Sequence, residues 1–373
     1  MAAVRTGGDP AQRRAEDATA LARALADALA GGPPVVLGDP PPRPVPAGVA
    51  LVLRTSGSST GVGRPVALPA QALAASVAAT HTRLSGPGRW VLALPPVHVA
   101  GVQVLVRSVL AGTEPVVAPP GPFDPDALAA TLGAAPDDAP LYLSLVPTQL
   151  HRVLAEGGAA LEELTRCAAV LVGGAATPRT DLERARAAGV RVVTTYGMTE
   201  TCGGCVYDGV PLDGVRVRLR EGRVLLGGPT LAAGYLDDGP QPFEADADGR
   251  WFVTSDAGEL DADGRLCVHG RVDDVLVTGG VNVHPAHVER LLEPVAGEVV
   301  VVGVPDPEWG VLLTAVVTRD VPLEALRDAA GHGPQAPRAV VVVDTIPTRG
   351  PGKPDRRAAA ALAAAALAGR TER

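Results

Sequence analysis

The chain has 373 residues, 46% hydrophobic, 20% charged and only 3% aromatic, with a net charge of −8 at pH 7. That apolar fraction excludes wholesale disorder, and the length suits about two domains around an aliphatic core. The acidic balance and the shortage of rings exclude a broad nucleic-acid surface, and four cysteines are too few for a disulfide framework.

In chain order, Leu21, Leu25 and Leu29 fall at helical spacing, and Gly31, Gly32, Pro33 and Pro34 end that helix. Arg13, Arg14, Glu16 and Asp17 interrupt the stretch, so it holds no signal-peptide core. A Pro-rich connector, Pro40 to Pro46, leads to a buried strand at Val49 to Leu53. Helices are expected at Gln71 to Leu84, Gly101 to Leu110, Asp126 to Leu132, Thr148 to Ala155 and Thr180 to Ala188. Strands are expected at Trp90 to Leu94, Glu114 to Val117, Leu141 to Leu145, Ala168 to Val172 and Val190 to Thr194. This alternation predicts an α/β fold with a mostly parallel sheet covered on both faces, its ligand sites at the carboxyl ends of the strands. The most apolar stretch, Val91 to Val106, is broken by Pro95, Pro96, His98 and Gln103 and is too short to span a bilayer. A soluble cytoplasmic protein without membrane insertion is expected.

From about residue 208 the texture changes to short strands between Asp-Gly turns, which predicts an antiparallel β subdomain over about 208–270. The large domain is expected over 1–272 and a small α+β domain over 273–373. The Ala-rich tail, Arg357 to Leu367, has high helix propensity and little to bury.

Five segments carry chemistry. Thr55, Ser56, Gly57, Ser58, Ser59, Thr60, Gly61 and Arg64 join hydroxyls, glycines and a cation after a strand, which suits phosphate; a Ser/Gly linker is the plain alternative. Walker A is excluded, because Val62 and Gly63 stand where Gly and Lys are needed. Tyr196, Gly197, Met198, Thr199 and Glu200 bring a ring, a tight turn, a hydroxyl and a carboxylate to one strand end. That set suits a base and a phosphate-bound Mg²⁺, or else an ordinary strand-to-helix turn. Gly173, Gly174 and Ala175 allow close approach at a neighbouring strand end. Asp256 with Arg271 to Asp274, and Gly350 to Arg357 around Lys353, complete the set. Lys353 is the sole lysine among 33 basic residues, a compact point charge where every other cation is a planar fork.

In this order the five segments resemble the adenylate-forming acyl-CoA synthetase superfamily, over about residues 50–360. The stretches Leu94 to Gly101, Val146 to Leu150 and Thr195 to Cys205 are most similar to the bacterial o-succinylbenzoate–CoA ligases of menaquinone synthesis. The resemblance implies an acid–CoA ligase that forms an acyl-AMP from ATP and then a thioester with coenzyme A. It implies Mg²⁺ as the metal, with no zinc and no flavin, and small-molecule partners, the homodimer being a further expectation.

By the same resemblance, Thr55 to Gly61 close on the β- and γ-phosphates, with Arg64 as the cation. Thr199 contacts phosphate and Glu200 ligates Mg²⁺. Gly173, Gly174 and Ala175 with Tyr196 hold adenine, Gly197, Met198 and His98 face the acid, and Asp256 and Arg271 take the ribose. Lys353 bridges the carboxylate and the α-phosphate. Asp273 is the hinge of a mobile C-terminal lid, and Gly279, Gly280 and Asn282 face the thiol.

The sequence departs from the family pattern in four places. The phosphate loop is one residue longer, Arg64 replaces the usual Lys, Val97 replaces a common Phe, and the stretch before Thr55 is much shorter. A carrier-protein loading module and a ligase for another aryl or short acyl acid are the rival readings. Cys202 and Cys205 have metal spacing but lack two further ligands, so a pocket floor of small residues is preferred. His284 and His287 read as a solvated helix face, His98 as either a core histidine or a substrate contact, and Asp237 and Asp238 as turn and surface acids.

Overall fold

The computed structural model describes residues 10–55, 63–349 and 353–371. The chain divides into two compact units. The first holds residues 1–177, 181–218 and 225–253, and the second holds 178–180, 219–224 and 254–373.

The first unit is built on a seven-stranded sheet. Its order runs Val210–Pro211, Gly203–Tyr207, Val192–Met198, Ala169–Gly173, Leu141–Leu145, Arg89–Leu92, Val116–Val117. The strands from Val192–Met198 to Val116–Val117 are parallel, and Gly203–Tyr207 and Val210–Pro211 continue the edge antiparallel. The parallel strands are aliphatic throughout because helices cover both faces. On one face Leu143, Leu145, Val170 and Val172 pack with Leu128, Leu132, Leu150 and Leu164, all nearly or fully buried. A smaller sheet pairs Val49–Arg54 antiparallel with Pro65–Pro69, and Pro65–Pro69 pairs antiparallel with Gly234–Tyr235. The fold class read from the sequence is thus the one observed.

The strand Gly249–Leu260 belongs to both units. Its first half pairs with Phe243–Asp246 and its second half with Leu266–Arg271. The second unit also has a three-stranded sheet, Val299–Asp306, Gly310–Val317 and Ala339–Val342, packed on the helix Pro285–Ala296.

Three expectations change. The Ala-rich tail does bury a face: in the helix Arg356–Thr371, Ala359 and Ala363 are fully buried against Val300, Val302, Val316 and Ile346. Alanine lets that helix sit close to the strands, so the absence of large side chains was no sign of an idle surface. A further helix, not expected from the sequence, spans Gly158–Arg166 and buries Ala160 and Leu164. The Thr195–Met198 segment is not a strand-to-helix turn, since the strand runs through it and folds back on Gly203–Tyr207.

Candidate functional site

The phosphate-loop candidate leaves one strand at Arg54 and re-enters the next at Pro65. Ser56, Gly57, Ser58, Ser59, Thr60 and Gly61 lie outside the described residues. The base of the loop is closed by two bonds: the Thr55 amide donates to the Arg64 carbonyl and the Arg64 amide donates to Thr55 Oγ1, both at 2.9 Å. Gly63 is required there, because a Cβ would lie 2.1 Å from the Thr55 carbonyl oxygen.

Arg64 is not a bare cation. Its Nε and Nη2 donate to the two carboxylate oxygens of Asp237 at 2.8 and 2.5 Å, and its guanidinium carbon lies 3.6 Å from the Tyr235 ring centroid. Asp237, read from sequence as a turn acid, is therefore the anchor of this cation. Its hydrogen bond from Arg64 holds the Asp237 carboxyl below the usual carboxylate range. Tyr235 in turn donates its hydroxyl to Glu200 Oε1 at 2.5 Å. Burial, and then the charge of Glu200, push the phenol's pKa above its ordinary value, so it stays a donor. Glu200 is itself buried, in the short turn Thr199–Thr201 that follows the strand Val192–Met198. The loop base, an aromatic brace and the carboxylate thus form one connected unit.

Beside Glu200 the chain passes very close to itself. A Cβ on Gly197 would lie 2.1 Å from the Gly203 carbonyl oxygen, and one on Gly173 would lie 2.2 Å from Thr195 Oγ1. Met198 is tied to the next turn by its amide, which donates to Thr201 Oγ1 at 3.0 Å. Gly174 and Ala175 are exposed at the end of the neighbouring strand, and Tyr196 is half-buried.

The helix Val99–Ala111 supplies the other wall, with His98 at its N-cap and half-buried. Gln103 Nε2 donates to the Cys202 carbonyl at 2.5 Å, which ties the helix to the segment after Glu200. One turn further, Arg107 is buried at 4% exposure, its guanidinium carbon 4.5 Å from the Trp90 ring centroid. Its Nη2 donates to the Tyr207 hydroxyl at 3.4 Å and its Nε has no partner. No carboxylate among the described residues pairs with it. Burial lowers its pKa and, with the Arg107 charge beside it, that of His81. Cys202 and Cys205 are fully buried, and burial pushes the Cys205 thiol up to about 12; both belong to the core.

The remaining sequence candidates lie in the second unit. Asp256 and Arg271 face each other across paired strands, and Arg271 Nη2 donates to Asp273 Oδ2 at 3.0 Å. Gly279 and Gly280, with φ of +55° and +80°, form the turn between Leu276–Thr278 and Val281–Val283, where Asn282 pairs with Val277. Lys353 starts a two-residue strand opposite Arg349, and Gly350 to Gly352 lie outside the described residues. Three residues on, Arg356 fixes this hairpin: its Nη2 donates to Glu289 Oε2 at 2.8 Å and its Nη1 donates to the Val301 carbonyl at 3.0 Å.

Sequence reasoning missed Tyr235, Gln103, Arg107 and Arg356. Only Arg356 lay inside a motif, the Gly350 to Arg357 segment. The others become visible when the helix Val99–Ala111 and the Gly234–Tyr235 strand are placed beside Glu200.

The AMP-binding enzyme family matches residues 6–236. A Mycobacterium tuberculosis protein named as a probable 2-succinylbenzoate–CoA ligase is 46% identical over 329 residues, 83% of each chain. The 2-succinylbenzoate–CoA ligase of Bacillus licheniformis is 31% identical over 74% of this chain and 61% of its own. Among solved structures, the Bacillus subtilis o-succinylbenzoate CoA synthetase with the acyl-adenylate OSB-AMP superposes with a TM-score of 0.70 at 26% identity, over 84% of this chain and 69% of that one. ATP-bound MatB from Rhodopseudomonas palustris gives 0.71 at 26% identity, over 85% and 68%. No helix among the described residues is long and apolar enough to cross a membrane. The family match and the relatives together establish that this chain belongs to the AMP-binding, adenylate-forming enzymes.

Proposed function

We propose that this chain is an ATP-dependent acid–CoA ligase acting on o-succinylbenzoate in the cytoplasm. A carboxylate oxygen of the acid attacks the α-phosphorus of ATP, and pyrophosphate leaves. The sulfur of coenzyme A then attacks the acyl carbon of the acyl-AMP, and AMP leaves as the thioester forms.

The observation that carries the first step is the buried Glu200 carboxylate, held by Tyr235 at the carboxyl end of the parallel sheet. One fixed carboxylate suits Mg²⁺, which takes few protein ligands and completes its shell from nucleotide phosphates and water. Such a metal would offset the repulsion between the acid and the triphosphate. Thr55 to Gly61 and Thr199 hold phosphate, while Gly173, Gly174, Ala175 and Tyr196 hold the base. Arg64, already committed to Asp237, positions Tyr235 and through it Glu200.

In this reading Asp256 and Arg271 take the ribose, and Lys353 supplies the point charge that bridges the two reacting anions. The small C-terminal domain, residues 273–373, turns about Asp273 between the half-reactions, and Gly279, Gly280 and Asn282 line the path of the thiol.

For the acid, His98 and the close-packed Gly197 and Met198 face the reacting carboxylate. The substrate has a second carboxylate, and Arg107 is the buried cation of the helix that His98 caps, left without an acid of its own. A charge withheld from water without a partner is costly, so its retention supports a role in receiving a ligand carboxylate. The test is acid-dependent pyrophosphate release. o-Succinylbenzoate should outperform benzoate and malonate, with free coenzyme A as the acceptor; preference for benzoate, or thioester formation only on a carrier protein, would overturn the assignment.

A further inference from the structure

The second unit carries a cluster that this chemistry leaves unused. The strand Leu266–Arg271 meets the helix Pro285–Ala296 so closely that a Cβ on Gly270 would lie 3.1 Å from Ala286 Cβ. Across that seam Arg290 Nη1 donates to the Val268 carbonyl at 2.9 Å. Its Nη2 donates to His269 Nδ1 at 3.2 Å and to His287 Nδ1 at 3.4 Å. A guanidinium has donors only, so in these contacts both Nδ1 atoms accept, which leaves Nε2–H as the donor of each ring. His269 Nε2 accordingly faces Glu259 Oε2, at 3.5 Å. His284 caps the helix, its ring centroid 6.2 Å from that of His269, and its buried Nδ1 has no hydrogen-bond partner. These rings border a cavity of about 280 Å³ whose wall also carries Asn282 and Gln335.

A metal ion needs lone pairs where two of these rings present N–H groups, and a guanidinium stands behind them. Donors backed by positive charge at a helix N-terminus favour an oxyanion. We propose that this cavity binds the phosphate of a small phosphorylated ligand, with His287 Nε2–H, His269 Nε2–H and the Asn282 amide as donors and Arg290 as the fixed counter-charge. The proposal shares Asn282 with the ligase reading, which sets that residue beside the path of the thiol; its other donors take no part in that reading.

The ionisable groups lining the cavity are Glu259, His269, His284 and His287, with Arg290 behind the His269 and His287 rings. Glu289 turns away onto Arg356. Glu259 is the one carboxylate of the lining, and its side chain is 66% exposed, free to swing aside. Burial, then neighbouring positive charge, holds His284 and His287 below the ordinary histidine value. A bound dianion opposes that shift, so binding should take up a proton at His284, whose Nδ1 has no partner while that of His287 accepts from Arg290, and tighten as pH falls from about 8 to about 6.

The test is NMR of the full chain with ¹⁵N-labelled histidine, titrated at constant ionic strength with pyrophosphate and, separately, adenosine 3′,5′-bisphosphate. Saturable shifts of the His284 and His287 ring nitrogens are expected. Affinity should fall about tenfold in His287→Ala and rise about threefold in Glu259→Gln, from loss of a donor and of a like charge. The tighter arm identifies free diphosphate or a nucleotide monoester as the source. Shifts no larger than sodium chloride produces, or an affinity unmoved in both variants, would overturn the proposal. Glu259→Gln, at an exposed position, decides the matter should His287→Ala not fold.

Discussion

Two arginines of the first unit lie against aromatic rings in opposite electrical circumstances. Arg64, over Tyr235, delivers a two-pronged contact to Asp237; Arg107, over Trp90, meets only the Tyr207 hydroxyl among the described residues. Arg107 is also the more deeply buried, at 4% exposure against 28% for the Arg64 side chain. Desolvating a charge costs several kcal/mol unless a partner offsets it. Arg64 has its partner within the fold and serves as a brace for Glu200. Arg107 has no carboxylate partner among the described residues, and under the proposed function it receives the second carboxylate of the acid.

The largest effect is expected at Arg107. Arg107→Leu should raise the KM for o-succinylbenzoate roughly thirtyfold or more, the usual consequence of removing one member of a buried charged pair. Benzoate turnover should change much less. Thermal stability should hold or rise, because an apolar side chain replaces an uncompensated buried cation. Equal losses on both acids, or a marked fall in melting temperature, would show that Arg107 is structural.

A smaller effect is expected at Asp237, the partner of Arg64. Asp237→Asn should cost about 1 kcal/mol of stability at neutral pH, since the pair is partly exposed. The folded carboxyl titrates below its unfolded value, so its contribution is full above the unfolded pKa and is lost as pH falls through the folded one. The stability gap between wild type and variant should therefore be level from neutral pH down to about pH 4 and close below it. Thermal melts across pH check this, and a gap that widens on acidification would contradict the assigned pair.

Much of the fold was legible because hydrophobic period and glycine turns carry it locally. The parallel strands were found as continuous aliphatic runs, and Val192–Met198 was cut short only because Tyr196 and Gly197 resemble a turn. The tail helix was undervalued because alanine hides its contacts, which depend on what lies opposite. The site was legible where chemistry sits in a contiguous motif, as at Glu200. It was illegible where the partner is remote: Tyr235 is 35 residues from Glu200, and Asp237 is 173 from Arg64. Arg107 looked like one more arginine in a chain rich in them, since the missing partner is a property of three dimensions.

Under the proposed function the chain makes an acyl-AMP before it makes a thioester, and Lys353 is needed for the first step alone. Lys353→Ala, assayed separately for pyrophosphate release and for conversion of supplied o-succinylbenzoyl-AMP with coenzyme A, tests this directly. Adenylation should fall by roughly a hundredfold or more, as when a fixed charge is taken from a transition state, while thioester formation continues near the wild-type rate. Comparable loss of both half-reactions would contradict it.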